Sequence, residues 1–141
     1  MTSHLQVTLP FPWDQAIERL TAALKDEGFG IVSSLAMDEI FRNRLGLAFH
    51  PYWILGACNP TFAHRVLEAD PRAGLLLPCN VTVEAVAEGV RIVIDDPEQS
   101  FAVSGLKENP VIWEVAAEAR TRLGRVAQAL RKAGQAKEVP A

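Results

Sequence analysis

Four times in this chain a short polar residue precedes proline: Asn59-Pro60, Asp70-Pro71, Asp96-Pro97 and Asn109-Pro110. The residue before proline is pushed out of helical backbone, while proline's fixed φ suits the first turn of a helix. Each pair is therefore a boundary between elements. Asn59-Pro60 opens a helix that runs to about Ala69, because asparagine caps well and proline is tolerated in the first turn. Asp70-Pro71 stops that helix, Asp95-Asp96-Pro97 ends a strand, and Asn109-Pro110 opens the last helix. Gly28 and Gly46 provide left-handed stops upstream.

Between these boundaries the apolar spacing names the elements. His4-Leu5-Gln6-Val7-Thr8-Leu9 alternates as a half-buried strand. Pro10-Phe11-Pro12 follows, with Pro12 at the first helical position and Asp14 and Glu18 near the positive end of the helix dipole. Trp13, Ile17, Leu20 and Leu24 keep helical spacing up to Gly28. Residues 29–35 read as a strand, 37–45 as a short helix and 52–58 as a buried strand. Gly74-Leu75-Leu76-Leu77-Pro78 reads as a loop or short strand, since Pro78 breaks the run. Residues 80–87 and 90–94 alternate on either side of a Glu88-Gly89 turn, as a hairpin does. A helical turn is expected over residues 97–103. The last helix carries an apolar stripe, Ile112, Val115, Ala116, Ala119, Leu123, Val126, Ala127 and Leu130, and is expected to close at Gly134. Residues 1–134 then form one domain, with a frayed polar tail over 135–141. The elements do not alternate regularly enough for a doubly wound fold, so the class is α+β: a mostly antiparallel sheet with helices on one face.

Composition removes several function classes. A chain of 141 residues with net charge −3 and pI near 5.6 lacks the basic face that nucleic-acid binding requires. No run approaches the ~18 apolar residues of a membrane span. Met1-Thr2-Ser3-His4 has neither a basic nor an apolar leader region, so a cytoplasmic location is expected. In that compartment the two cysteines are expected to be reduced.

Both cysteines are followed by asparagine and preceded by an apolar run, where a buried strand would emerge onto a loop: Leu55-Gly56-Ala57-Cys58-Asn59-Pro60 and Leu76-Leu77-Pro78-Cys79-Asn80-Val81. Cys58 would lie beside the free N–H groups of the helix at Pro60, a position that stabilises thiolate. The alternative is a small buried hydrophobe ending a strand. A Cys58–Cys79 bridge would close a loop of about 20 residues, worth roughly 3 kcal/mol on a chain-entropy account. Spacing alone fixes no sulfur separation, and neither cysteine belongs to a Cys-x-x-Cys motif. His50 and His64 add no diagnostic ligand spacing, so no metal and no cofactor are expected. Asn59 and Asn80 can cap helices and fix turns, or line a pocket as paired amides. Nothing corresponds to Gly-x-Ser-x-Gly, a Ser-His-acid set or a phosphate loop, and Gly28-Phe29-Gly30 lies between helix and strand, the reverse of a dinucleotide fingerprint. Enzymatic chemistry is therefore not the leading expectation. Trp13, Trp53 and Trp113 read as core or interface anchors.

Phe49-His50-Pro51-Tyr52-Trp53-Ile54-Leu55-Gly56-Ala57-Cys58-Asn59-Pro60, with Leu67-Glu68-Ala69-Asp70-Pro71 and Gly74-Leu75-Leu76-Leu77-Pro78-Cys79-Asn80-Val81, resembles the bacterial and archaeal domain-of-unknown-function family 302 along the whole chain. The resemblance implies a TATA-box-binding-protein-like layout, β-α-β-β-α-β-β-α, with the helix at Pro60 inserted between strands. It also implies self-association, and brings no activity, substrate or cofactor. Cys58, Asn59, Cys79 and Asn80 are the signature positions it carries over. The leading expectation is a small cytoplasmic homodimeric domain that binds a small molecule at a pocket formed by Tyr52, Cys58, Asn59, Cys79 and Asn80, without nucleic-acid or membrane partners. Two others stay open: a thiol-dependent redox, sulfur-transfer or soft-metal-handling protein using Cys58 and Cys79, and a purely structural or interaction module. The stripe on the last helix and Trp113 motivate the dimer.

Overall fold

Five strands, β1 (Gln6–Leu9), β2 (Gly30–Ala36), β3 (Tyr52–Cys58), β4 (Cys79–Val86) and β5 (Gly89–Ile94), hydrogen-bond into one sheet in the order β1-β5-β4-β3-β2, every neighbouring pair antiparallel. The computed structural model describes residues 5–138. Helices α1 (Trp13–Asp26), α2 (Met37–Leu45), α3 (Pro60–Ala69), α4 (Pro97–Ser104) and α5 (Pro110–Glu138) complete the fold. The class is α+β. The short helix expected over 37–45 is α2 and the helical turn expected over 97–103 is α4; the structure adds two 3-10 turns, Pro71–Leu76 and Leu106–Glu108.

All four polar residues before proline are caps. The side-chain oxygen of Asn59 accepts from Phe62 N–H at 3.2 Å, that of Asp70 from Arg72 at 2.9 Å and that of Asp96 from Glu98 at 3.0 Å. Asn109 accepts from Val111 at 3.0 Å and donates its own amide to the Ala69 carbonyl at 3.4 Å, tying α5 to the end of α3. Each bond satisfies a donor that the first helical turn leaves without a partner. Gly28, Gly46 and Gly105 take positive φ where α1, α2 and α4 end.

Three boundaries differ from the expectation. Pro12 is the residue before α1 rather than its first member. The leucine run before Pro78 is no strand: Asp70 and Pro71 nucleate a 3-10 turn that carries it, and Leu75 is 88% exposed. Proline cannot donate to a ladder, so β4 begins only at Cys79. Cys79 therefore starts a strand instead of following one. Gly134 does not close the last helix, which continues through Glu138. A Cβ there would meet Pro10 Cδ at 3.3 Å, so this glycine lets α5 approach the end of β1. His4 lies outside the described residues.

One face of the sheet makes the core. Val7, Leu9, Leu55, Ala57, Val81, Val83, Val90, Ile92 and Ile94 are buried against Ala16, Leu20 and Leu24 of α1, Phe62 and Val66 of α3, and α5. The whole α5 stripe, from Ile112 to Leu130, is buried in this layer, and Trp113 is half-buried against it. The stripe expected to drive dimerisation is thus occupied by the chain's own sheet. Each fully buried leucine or isoleucine here contributes roughly 1.5–3 kcal/mol. Trp13 meets Trp53 edge to face, ring centroids 5.3 Å apart, which fastens the start of α1 to β3.

Removing the Asn109 cap is expected to cost about 1 kcal/mol. Asn109→Ala should lower the urea midpoint by that free energy divided by the denaturant slope, with the slope itself unchanged. Asn80→Ala, on an exposed strand position, should stay within about 0.5 kcal/mol of the parent.

Candidate functional site

Strand pairing brings the two cysteines to one end of the sheet. Ala57 is paired with Cys79 and Gly30 with Cys58, so Cys58 lies one residue beyond the partner of Cys79. Cys79 shares the inward face with Ala57 and is buried, whereas Cys58, at the strand's end, is half-buried. Both thiols are free. Asn59 then caps α3 and is itself 7% exposed.

Cys58, Asn59 and Cys79 line one cleft, whose other walls include Phe29 just before β2, Phe62 and Ala63 of α3, Leu77, Phe101 of α4, and Ala116 and Ala119 of α5. Its free space is about 30 Å³, room for about one water molecule. Phe29 and Phe62 meet edge to face at 6.2 Å, and the Arg122 guanidinium covers Phe62 at 5.1 Å. Arg122 also donates to the Glu27 carbonyl at 3.3 Å, so a cation lies against the Phe62 wall while the cleft lining itself is mostly apolar. Gly28, φ +86°, comes so close to Asn59 that a Cβ would sit 2.9 Å from Nδ2. The joint between α1 and β2 thus fixes the same asparagine that caps α3.

The two thiols are chemically unequal. Burial pushes the Cys79 thiol up to about 12, and the Asp95 carboxylate and Cys58 add to the shift. Asp95 is itself held by Ser100 Oγ, which donates to it at 2.9 Å. Cys79 is therefore a neutral thiol at physiological pH, a poor nucleophile and a poor metal ligand. Among the described residues no three His, Cys, Asp or Glu side chains converge as a metal-binding group.

The remaining two residues expected at the pocket lie elsewhere. Asn80 falls on the opposite face of β4, exposed, with its carbonyl accepting from Asp95 N–H at 3.0 Å. It neither caps a helix nor lines the cleft, because strand alternation turns it away from Cys79. Tyr52 begins β3, at the far end of the strand from Cys58. It is paired with Glu84, and its N–H donates to Asp38 at 3.3 Å. There it borders a second constellation that the sequence reading missed. His50 Nε2 is 2.7 Å from Glu84 Oε2, Arg91 donates to Glu84 Oε1 at 2.8 Å, and Phe49 stacks on His50 at 4.2 Å. Arg91 and then His50 hold the Glu84 carboxyl below its usual range. The available signal was cross-strand: Glu84 and Arg91 are directly paired across the hairpin. His64 stays outside both groups, exposed beside Glu68.

The family model "Domain of unknown function DUF302" matches residues 5–130. The crystal structure of an uncharacterized conserved DUF302 protein from Bacillus stearothermophilus is similar at 31% identity and a TM-score of 0.79, over 89% of this chain and 96% of that one. No curated protein matches the chain.

Thiol labelling of the native protein from pH 7 to 9 should modify Cys58 alone, with Cys79 reacting only after denaturation. The fold favours the neutral Cys79 thiol, raising its pKa above the ordinary 9.0 to about 12. The associated stability is complete below pH 9.0 and is lost as pH rises toward about 12. Alkaline unfolding midpoints of Cys79→Ala should therefore show a flatter slope in that window than the parent.

Proposed function

The chain belongs to the DUF302 family, and from that premise we propose a cytoplasmic, homodimeric binding domain that holds the compact apolar end of a small molecule in the cleft of Cys58, Asn59 and Cys79. The observation that carries this reading is the convergence of both Cys-containing signature segments, from different strands, on one cleft. Its wall chemistry selects the ligand: three phenylalanines and small α5 residues favour an aliphatic or thioether group over a charged one. The narrow free space means that a ligand displaces Leu77 or Phe101, which come from the segment before β4 and the short helix α4 and pack against the core rather than belonging to the sheet. That no helix among the described residues is long and apolar enough to cross a membrane is consistent with this role.

A second reading, thiol chemistry, is favoured by one observation: Cys58 is half-open at the cleft mouth. It would use Cys58 alone as nucleophile, because the neutral Cys79 is a poor resolving partner.

A panel of short aliphatic acids, alcohols and thioethers, followed by NMR of the full chain, tests the leading reading. Binding should perturb Phe29, Cys58, Asn59, Phe62 and Phe101 together, and Ala63→Leu, which fills the mouth, should abolish it while leaving the circular dichroism unchanged. Shifts confined to the far end of β3, or none across the panel, would discard the cleft as the binding site. Loss of binding in Cys58→Ser with retention in Cys58→Ala would instead point to packing around the sulfur position.

A further inference from the structure

Among the described residues, no helix packs over the sheet face turned away from α1, α3 and α5; α2 touches only its edge, where Asp38 accepts from Tyr52 N–H and Phe41 meets Phe49. Leu35, Ile54, Thr82 and Val93 are directly paired from strand to strand, so they form a single row across that face. Three of the four are apolar, and Leu35 is 52% exposed. At the end of β2 follows α2, a nine-residue helix with no buried side chain. Leu45 and Leu47 beside it are 63% and 58% exposed. A helix of this length is not self-supporting in water and normally owes its stability to a buried apolar face. Here Phe41 is half-buried against Phe49, while Ile40 and Leu45 stay exposed.

We propose that a second copy of this chain covers this face about a two-fold axis, with the α2 helices antiparallel at its edge. The proposal rests on the homodimer put forward above and says where its interface lies. Charge argues for a copy of the same chain. Asp38 and Glu39 stand in the first turn of α2, Arg42 and Arg44 in the last. Among the described residues, Glu39, Arg42 and Arg44 form no ion pair within the protomer. That order also suits the helix's own dipole. Antiparallel pairing about a two-fold axis adds a second use, since it sets the acidic turn of each copy against the basic turn of the other. The β2 edge beside it, Gly30-Ile31-Val32-Ser33-Ser34-Leu35-Ala36, carries no charge that would repel a neighbouring copy. The His50, Glu84 and Arg91 cluster then forms the polar rim of the apolar patch.

Sedimentation equilibrium of the full chain tests this. The parent should be dimeric at micromolar concentration. Leu35→Glu and Leu45→Glu, both at exposed positions, should each raise the dissociation constant by about tenfold or more while retaining the parental circular dichroism and melting point. Val103→Glu, exposed on α4, should change nothing. Glu39→Arg and the double variant Arg42→Glu, Arg44→Glu should each dimerise poorly alone, and mixing the two should restore a dimer. A monomeric parent would overturn both the homodimer and this interface, leaving the face to another partner. A dimer indifferent to Leu35→Glu, Leu45→Glu and the charge reversals would overturn the interface and keep the homodimer. Neither result bears on the cleft, which the ligand panel tests separately.

Discussion

Asn59 is the joint on which the candidate site depends. Its side-chain oxygen accepts the Phe62 N–H that opens α3, and its amide nitrogen lies against Gly28, where α1 hands over to β2. The joint before β2, the end of β3 and the start of α3, which all border the cleft, therefore meet at one buried carboxamide. A side chain at position 28 would meet Nδ2 at 2.9 Å, and φ of +86° independently favours glycine there. Gly28 and Asn59 constrain each other although 31 positions separate them in sequence.

What the sequence made legible were features whose cause is local. Asparagine or aspartate before proline restricts backbone and offers a capping oxygen within two or three residues, and all four such pairs cap. The Cys79-Asn80 pair looked equivalent to Cys58-Asn59 because the two share a dipeptide and a preceding apolar run. Yet Asn80 has no helix to cap, and the run before it curls into a 3-10 turn. Which side of a strand a residue faces is decided by its register with neighbouring strands, and that is a tertiary fact. Tyr52, only six positions before Cys58, stands at the opposite end of β3 because an extended strand rises roughly 3.3 Å per residue, and there register places it beside Glu84.

The apolar stripe on α5 teaches a related point. Periodicity identified its residues correctly, but it does not say whether the surface opposite belongs to the same chain or to another. In the fold the chain's own sheet takes all of it, and Gly134 lets the helix lie close enough to Pro10 to finish the contact. The surface left open is less conspicuous in sequence, because its members are scattered over β2, α2, β3 and β5 and gather only when strand pairing aligns Leu35 with Ile54, and Thr82 with Val93.

Strand β3 connects these two regions. Its Cys58 end supplies the cleft beneath α3 and α5, while its Tyr52 end, with His50 and Glu84 beside it, borders the open face. Along the strand, alternate residues serve the two faces: Trp53, Leu55 and Ala57 turn to the helices, and Ile54 turns away. Gly56 sits where the chains on either side of β3 crowd one face, since a Cβ there would collide with Ser33 and Pro78. That close approach seats Pro78 against the strand, and Pro78 in turn sets where β4 begins. The placement of Cys79 inside the cleft therefore follows from a glycine on the neighbouring strand. A change at Gly56 would move Cys79 without touching either thiol, which is why the glycine in Leu55-Gly56-Ala57-Cys58 is as much a part of the site's geometry as the cysteine it precedes.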